Sequence, residues 1–314
     1  MIAHSSATQT PSQRREWNDH SGALLDSVKG FDLIACEVCR FKHIVPIPSE
    51  SELEAEYRHE YYRREKPLYL ERTREDLEWW ELVYGERYDT FEAMLPPSRR
   101  RILDIGSGPG FFLAHGKRRG WQTVGIEPSS QATAHSRALE LEVHEEFLSQ
   151  DTAARLGSFD VVHMSEVLEH IPDPQRFLQL VASMLGPGGV ICVAVPNDYN
   201  PLQAALREAC GYSPWWVAPP HHINYFDFES LADLLRHTGF SVVAREATFP
   251  IELFLLMGDN YVGNDSLGRQ CHARRKRFEL NLAAAGMTSL KRKLFQSLAD
   301  LGIGREALLV GVRQ

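Results

Sequence analysis

The chain has 314 residues and a formal net charge of −8, and it is 43% hydrophobic and 24% charged. These values are ordinary for a globular protein, and the length allows one large domain with additions or two domains. The negative charge argues against nucleic-acid binding, because contacts with phosphates need clustered Lys and Arg. No apolar run approaches the ~20 residues that cross a bilayer. Residues 1–18 are polar and predicted to be flexible, and they lack the apolar core of a signal peptide.

The five cysteines are odd in number and scattered, which is not the pattern of a disulfide framework, so a cytoplasmic location is the default expectation. Cys36 and Cys39 form a Cys-x-x-Cys turn between two short strands predicted within residues 31–48. Two thiolates at this spacing can share one zinc ion, and His20 and His43 are candidates for the two further ligands. The alternatives are a degenerate zinc module and plain core cysteines, neither of which binds a metal.

Two amphipathic helices are predicted after this turn. The first begins near residue 49, with Ser49 or Ser51 as its N-cap. The second covers residues 74–95, where apolar residues recur at steps of three and four until a Pro-Pro pair ends the helix. We therefore predict that residues 19–97 form a lid or acceptor-recognition region that precedes a catalytic domain.

Residues 98–314 show a different organisation, in which strands and helices alternate from "RILDIG", "FFLAHGKRRG" and "QTVGIEP" onward. This alternation predicts an α/β fold with a doubly wound, mostly parallel sheet that is covered by helices on both faces. The final strand, "EALLVGVRQ", has no helix after it, so it can pair antiparallel at an edge or between neighbours. Inserts are predicted at about 198–226 and 250–304.

The segment "RILDIGSGPGFF" contains a glycine turn of the kind that binds nucleotide-like ligands. Its glycines are Gly106, Gly108 and Gly110. They are not followed by the Lys-Ser/Thr pair of a P-loop, and their spacing matches the dinucleotide-binding pattern only in part. Asp104 precedes the turn, where a carboxylate repels a pyrophosphate and attracts an ammonium group. Glu127 ends the next strand, 21 residues after Gly106, where it can accept both hydroxyls of a ribose. These features favour S-adenosylmethionine, which has an ammonium group and a ribose but no phosphate.

Four separated motifs, "LDIGSGPG", "VGIEPS", "FDVVHMSEVLEHIPDP" and "LGPGGVICVAVPN", occur in this order within residues 98–245. In them the sequence resembles the class I S-adenosylmethionine-dependent methyltransferases, of the small-molecule type found in bacterial sugar, polysaccharide and specialised-metabolite pathways. The resemblance implies a seven-stranded Rossmann-like sheet with an antiparallel last strand, and S-adenosylhomocysteine as product. The cofactor-binding residues that it implies are Asp104, Gly106, Ser107, Gly108, Glu127, Pro128, Phe147, Leu148, Ser165 and Glu166, with Glu146 as a further candidate beside the adenine.

The segment "SEVLEHIPDP" is a candidate source of a base, because ligands of such sheets bind beyond the carboxyl ends of the strands. Methyl transfer to a hydroxyl needs a group that takes the proton. Glu166, Glu169 and His170 are spaced i, i+3 and i+4, so they share one face if the segment forms a helical turn. His170 suits a base, and the three side chains together suit a divalent cation that orients the acceptor. A third alternative is that His170 only shapes the cofactor pocket.

The insert at 198–226 is rich in aromatic residues and ends in "APPHHINYF". Long insertions at this edge of a sheet act as lids or binding loops. Small-molecule methyltransferases of this class show a similar His-x-Asn-x-Phe pattern, here His222, Asn224 and Phe226. His222 is thus a second candidate base and Tyr225 an acceptor-pocket residue. The alternative is that the segment only pins the lid to the sheet.

These features predict an enzyme, an S-adenosylmethionine-dependent methyltransferase that acts on a small-molecule or glycan acceptor. The favoured reaction is in-line methyl transfer to a hydroxyl oxygen with a histidine base. Two alternatives stay open: a C-methyltransferase that acts on a nucleotide-linked sugar, and a non-catalytic protein that binds the cofactor. RNA and protein acceptors are disfavoured, because no Asn-Pro-Pro-Tyr motif follows the fourth strand of the alternation.

Overall fold

A computed structural model describes residues 13–49, 52–53 and 69–314, which form two β-sheets with helices around the larger one. The smaller sheet contains β1 (Arg14–Trp17), β2 (His20–Val28), β3 (Phe31–Cys36), β4 (Lys42–Val45) and β10 (Asn224–Tyr225). The larger sheet contains β5 (Arg101–Ile105), β6 (Gln122–Ile126), β7 (Glu142–His144), β8 (Phe159–Ser165), β9 (Leu185–Pro196), β11 (Phe240–Ala247) and β12 (Glu306–Arg313). The α-helices of the described residues are α1 (Tyr69–Glu75), α2 (Leu77–Met94), α3 (Phe111–Arg118), α4 (Ser130–Ala138), α5 (Gln150–Leu156), α6 (Pro174–Ser183), α7 (Pro201–Cys210), α8 (Phe228–His237), α9 (Glu252–Leu256), α10 (Asp265–Ala284) and α11 (Thr288–Asp300).

The larger sheet has seven strands in the order β11-β12-β9-β8-β5-β6-β7, and β12 is antiparallel to both of its neighbours. The other neighbouring strands of this sheet are parallel. This arrangement confirms the predicted doubly wound α/β fold and places the last strand between two neighbours. The strand order reverses between β5 and β8, so a crevice opens there at the carboxyl ends of the strands.

Both faces of the larger sheet are buried, as its nearly continuous apolar strands require. On one face, Leu103 of β5 belongs to a hydrophobic cluster that includes Leu178 of α6 and Leu231 of α8. On the other face, Ile102 belongs to a second cluster with Tyr88 of α2. Successive residues of a strand point to opposite faces, so helices must cover both sides of this sheet.

The smaller sheet is antiparallel throughout, in the order β1-β2-β3-β4-β10. Its strands β3 and β4 are the two that the sequence predicts around the Cys-x-x-Cys turn. The strand β1 lies within residues 1–18, for which the sequence predicts flexibility, and residues 1–12 lie outside the described residues. Residues 14–17 therefore form a regular strand instead of the predicted flexible segment, because β1 is paired with β2.

The two predicted helices before the larger sheet are described in part. At the start of the first, Ser49 Oγ accepts a hydrogen bond from the Glu52 amide at 3.4 Å, and Glu52 Oε2 accepts one from the Ser49 amide at 2.8 Å. This pattern is a capping box. Ser51 and most of that helix lie outside the described residues, whereas the second predicted helix is present as α2.

The insert at 198–226 joins the two sheets. It contributes α7 and β10, and β10 pairs with β4 so that Asn224 lies opposite His43. Its aromatic residues Trp216 and Tyr225 are buried in a cluster with apolar residues of β3 and β4. Much of the aromatic surface predicted for a binding loop is thus used as a core between the insert and the smaller sheet.

The insert at 250–304 contributes α9, α10 and α11. The helix α11 packs near α2 through Lys291, whose ammonium group contacts Glu86 at 2.8 Å. Among the described residues, no helix combines the length and the apolar character that crossing a membrane requires.

Candidate functional site

The glycine turn after β5 lies against two neighbouring segments. Gly106 and Gly108 have φ angles of +71° and +52°, a region of backbone conformation that favours glycine. The Gly106 amide donates to the carbonyl oxygen of Ile126 at 2.8 Å, which ties the turn to β6. A Cβ atom at Gly106 would lie 2.5 Å from Cγ2 of Val167, so the segment after β8 also reaches the turn. The carboxyl ends of β5, β6 and β8 therefore meet here.

Glu127 follows β6 and is only 4% exposed. Its Oε2 accepts a hydrogen bond from the Gly108 amide at 2.9 Å, and its Oε1 accepts one from the Ser129 amide at 2.9 Å. Burial raises the pKa of Glu127 to about 7, although the two amide hydrogen bonds oppose this rise. In the same turn, the buried Ser107 hydroxyl has no hydrogen-bond partner among the described residues. A buried carboxyl group and an unpartnered hydroxyl suit a ligand that presents ribose hydroxyls.

Asp104 lies on β5, just before the turn, and is buried against β8 and α2. Its Oδ1 is 2.6 Å from Nδ1 of His163, and Nε2 of the same histidine is 2.8 Å from Nη1 of Arg87. Because an arginine only donates, His163 Nε2 accepts, and Nδ1 carries the proton that is donated to Asp104. Burial lowers the pKa of His163, in agreement with a neutral ring. Asp104 is the predicted partner of the ammonium group of the ligand. One of its two carboxylate oxygens, Oδ1, is therefore already hydrogen-bonded to His163.

The sequence interpretation missed the roles of His163 and Arg87. A signal for the first is present, because His163 interrupts the apolar strand "FDVVHMS" at the position opposite Asp104 in the sheet register. For Arg87 the helical pattern of α2 gives no such signal, since an arginine in an amphipathic helix is ordinarily a surface residue.

The remaining predicted cofactor residues lie at or near the carboxyl ends of β6, β7 and β8. Five of them are partly buried and the last is exposed: they are Pro128, Glu146, Phe147, Leu148, Ser165 and Glu166. Leu148 packs against the main hydrophobic cluster of the sheet. Glu146 accepts a hydrogen bond from Thr152 at 2.9 Å and forms an ion pair with Arg155, so its carboxylate is bound to α5.

The segment after β8 forms one 3₁₀ turn at Leu168–His170. Glu169 and His170 of this turn form a cluster with His222, in which the possible ligand atoms lie within 4.8 Å of one another. The rings of His170 and His222 meet edge to face, with their centroids 5.0 Å apart. Glu166 lies outside this cluster, because its φ of +55° ends the strand in a bend instead of beginning the helical turn that the sequence predicts. Of the three residues predicted to share one face, only Glu169 and His170 cluster in the structure. The third member of the observed cluster is His222.

The segment "HHINYF" is held between β4 and the 3₁₀ turn. The Asn224 side-chain amide donates to the carbonyl oxygens of Leu168 at 3.1 Å and Ile171 at 2.7 Å. Tyr225 is 0% exposed, and its hydroxyl oxygen accepts from the Ala218 amide at 3.0 Å. Phe226 is likewise in the core. Asn224, Tyr225 and Phe226 therefore fix the segment, and the structure places Tyr225 in the core and not at an open pocket.

The four candidate metal ligands of the N-terminal region also come together. The ligand atoms of His20, Cys36, Cys39 and His43 all lie within 4.8 Å of one another, and both cysteines are free of disulfides. This cluster lies in the smaller sheet and shares no residue with the cluster of Glu169, His170 and His222.

Comparisons with known proteins identify a family. A family model for a methyltransferase domain matches residues 56–245. The chain is 32% identical over 165 residues to a ubiquinone biosynthesis O-methyltransferase of Xanthomonas axonopodis pv. citri, with 50% of this chain and 69% of the relative covered. It is 33% identical over 172 residues to one of Caulobacter vibrioides, with 53% and 68% covered. A third, of Caulobacter sp. (strain K31), is 34% identical, and only 51% of its length is covered.

Solved structures with a similar chain course include an S-adenosylmethionine-dependent methyltransferase of Archaeoglobus fulgidus. It is 18% identical, and the match has a TM-score of 0.47 and covers 74% of this chain and 94% of the other. Another, an S-adenosylmethionine-dependent methyltransferase of Mesorhizobium loti, is 18% identical with a TM-score of 0.44 and coverage of 72% and 97%.

Proposed function

The chain belongs to the methyltransferase domain family and is an S-adenosylmethionine-dependent methyltransferase, and we propose that it methylates a hydroxyl oxygen of a small-molecule acceptor. The observation that carries this proposal is the His170–His222 pair. His170 lies three residues after Val167, whose side chain reaches the glycine turn, and His222 contacts the His170 ring. A pair of imidazoles at this place can act on an acceptor that lies next to the cofactor. The relatives that carry the name O-methyltransferase support oxygen as the methylated atom.

The residues of the glycine turn fit S-adenosylmethionine. The bound cofactor supplies a methyl group that the positive sulfonium activates toward displacement. We assign the ribose hydroxyls to the buried Glu127 carboxyl group and to the Ser107 hydroxyl, which lacks a partner among the described residues. We assign the ammonium group to Asp104, whose orientation the hydrogen bond from His163 fixes. The protein itself then has to align the acceptor with the methyl group and exclude water.

The acceptor hydroxyl has to lose its proton as the new bond forms, and we assign the role of base to His170. Its Nδ1 lies 2.7 Å from the carbonyl oxygen of His221, so Nδ1 carries a proton and Nε2 carries the lone pair. This fixed tautomer is what a general base requires. His222, edge to face with His170, is the second candidate for the same role.

A divalent cation is a second way for the same cluster to act. Glu169, His170 and His222 offer one carboxylate oxygen and two imidazole nitrogens within 4.8 Å of one another. A cation held there would bind the acceptor oxygen directly and favour loss of its proton, and a nearby base would then be less important. The burial of Glu169, which is 1% exposed, favours this candidate, because a buried carboxylate is stabilised by a cation.

The proposal is tested by methyl transfer from methyl-labelled S-adenosylmethionine to fractionated small-molecule, glycan, RNA and protein acceptors. Label on a hydroxyl oxygen of a small molecule is the expected result. Of His170→Ala and His222→Ala, the variant that lacks the base should lower turnover by about 10²–10⁴-fold, with cofactor affinity unchanged by calorimetry. The control is His237→Ala at the exposed end of α8, which should behave as the wild type.

Chelation separates the two candidate mechanisms. Activity that survives EDTA supports the histidine base, and activity that is lost and returns with Mg²⁺ or Mn²⁺ supports the cation. Label on carbon of a nucleotide-linked sugar, or cofactor binding with no transfer to any fraction, would contradict O-methylation and favour the C-methyltransferase or the non-catalytic protein.

A further inference from the structure

Four side chains with metal-binding atoms meet at one corner of the smaller sheet. His20 begins β2, Cys36 ends β3, Cys39 lies in the following turn and His43 is in β4. Their ligand atoms all lie within 4.8 Å of one another. We propose that these four side chains bind one zinc ion, which closes this corner of the sheet.

The distances in the cluster agree with a tetrahedral site. His20 Nδ1 is 3.3 Å from Cys39 Sγ and 3.8 Å from Cys36 Sγ. With Zn–S bonds of about 2.3 Å and Zn–N bonds of about 2.0–2.1 Å, a tetrahedron separates a sulfur from a nitrogen ligand by about 3.5 Å. The two observed distances lie on either side of this value, so zinc fits with only small shifts of the side chains.

His43 gives an independent reason to expect a ligand. It is 1% exposed, and its Nδ1 lies 2.9 Å from the carbonyl oxygen of Ile44, so that Nδ1 carries the proton. Its Nε2 is buried and has no hydrogen-bond partner among the described residues. Leaving a buried nitrogen unsatisfied destabilises the fold, and a bond to a metal removes this cost. Metal-binding histidines usually donate their other ring proton in this way.

The Cys-x-x-Cys turn is shaped to hold two thiolates. The Cys39 amide lies 3.4 Å from Cys36 Sγ, where it can donate to a thiolate. Arg40 has a φ of +64°, and its amide donates to the Cys36 carbonyl oxygen at 3.0 Å, which closes the turn. Binding releases two thiol protons to solvent, and the two thiolates then balance the charge of Zn²⁺. A neutral complex can be buried without an uncompensated charge.

The chemistry of the four ligands favours a structural zinc ion. Thiolates and imidazoles together select zinc over the oxygen-binding cations Mg²⁺ and Ca²⁺. Four protein ligands leave no open position for a substrate, so the ion would fix the ends of β2, β3 and β4. The strand β4 in turn pairs with β10, where Asn224 lies opposite His43. Through β4 and β10 the ion would also position His222. This consequence rests on the proposed function, whereas the zinc site itself does not.

The test is the zinc content of the full chain after zinc-replete expression, measured by mass spectrometry of the metal together with the zinc affinity from chelator competition. We expect about one zinc ion per chain, and a loss of affinity of about 10–100-fold or more in Cys39→Ser and in His20→Ala. Cys210→Ser is the matched control, since Cys210 is a free, exposed cysteine of α7, and it should keep the ion. His222→Ala should also keep it, which distinguishes this ion from one at the histidine pair.

Two results would overturn the zinc site. One is a chain without zinc in which Cys36 and Cys39 are alkylated as readily as Cys210. The other is a Cys36–Cys39 disulfide in peptide mass spectra of protein prepared under reducing conditions. If the variants do not fold, Co²⁺ titration of the wild-type chain decides, because a thiolate-to-cobalt absorption band supports the site and its absence refutes it. These experiments do not measure methyl transfer. The zinc site and the proposed methyltransferase function can therefore each be refuted without affecting the other.

Discussion

Burial of Glu127 makes the stability of the protein depend on pH. The folded protein holds this carboxyl group with a pKa of about 7, whereas its ordinary value is 4.5. Because the folded state binds the proton more tightly, the contribution of Glu127 to stability is fully present below about pH 4.5 and is lost as the pH rises through 7. Binding of ribose hydroxyls to the carboxylate would favour the ionised form, so cofactor affinity should rise over the same range.

Glu127→Gln removes this titration. Relative to the wild type, the variant should gain about 2–3 kcal/mol in the free energy of unfolding between pH 5 and pH 8, measured by urea denaturation without cofactor. The control is Glu208→Gln on the exposed side of α7, which removes a carboxylate without touching the buried turn. A Glu127→Gln difference that is constant between pH 5 and pH 8 would contradict the raised pKa.

At the residue scale, the sequence identifies the charged residues of the glycine turn but not the partners that they contact. Asp104 and Glu127 can be selected from the sequence, because each carries the charge that the ligand requires. Asp104 lies in β5 just before the glycine turn, and Glu127 follows β6. The partner of Asp104 could not be inferred in the same way. His163 is 59 positions away in the chain, and only the parallel register of β5 and β8 brings the two side chains together.

At the scale of elements, the β5 turn depends on the contact between Gly106 and the segment after β8. Alanine at position 106 would combine an unfavourable φ of +71° with a Cβ atom 2.5 Å from Val167 Cγ2. Gly120 separates the two effects, because its φ is +85° and no heavy atom lies within 4 Å of its Cβ position. Gly120→Ala should cost about 1–2 kcal/mol from backbone strain, and Gly106→Ala about 2–5 kcal/mol because overpacking is added.

The comparison of these two variants is made by urea denaturation and by calorimetric titration with S-adenosylmethionine. Gly106→Ala should also lose at least tenfold in cofactor affinity, whereas Gly120→Ala should bind as the wild type does, since residue 120 lies at the other end of α3. Equal losses of stability in the two variants would show that the Val167 contact is unimportant.

The elements that the sequence predicts well are those with strong local periodicity. All seven strands of the larger sheet, and α2, are present where apolar patterning indicates them. The predicted helical turn through Glu166 fails, because the chain bends at that residue to bring Val167 to the glycine turn. The sequence does not predict the strands β1 and β2, in which most residues are only partly buried. The pairing of β1 with β2 and of β2 with β3 organises them.

On the scale of the whole molecule, the histidine pair and the proposed zinc site each consist of residues that are distant in the chain. His170 and His222 meet because Asn224 holds the insert to the 3₁₀ turn, and His43 joins the cysteines because β3 and β4 are paired. The sequence can nominate these residue types and their local spacing. It cannot select which of its 13 histidines become neighbours, because that depends on strand pairing and on the packing of inserts.

The insert at 250–304 is joined to the start of α2 through Asp76, which is 5% exposed in its side chain. Burial alone would raise the pKa of Asp76, but hydrogen bonds from Lys276, Arg269 and His272 of α10 hold it at about 2, against an ordinary 3.8. A lowered pKa contributes stability that is present above about pH 4 and is lost as the pH falls toward 2. This contribution is about 2 kcal/mol and depends on residues nearly 200 positions apart in the chain.

Asp76→Asn should therefore lower the free energy of unfolding by at least about 2 kcal/mol at pH 7, because three cationic or polar groups of α10 lose their common partner. The deficit should shrink as the pH falls from 4 to 2, where the wild-type carboxylate becomes protonated. Asp233→Asn is the control, since its pair with Arg236 is 47% exposed on both sides and should contribute less than about 1 kcal/mol. A deficit in Asp76→Asn that stays constant down to pH 2 would mean that the carboxylate charge does not hold α10 to α2.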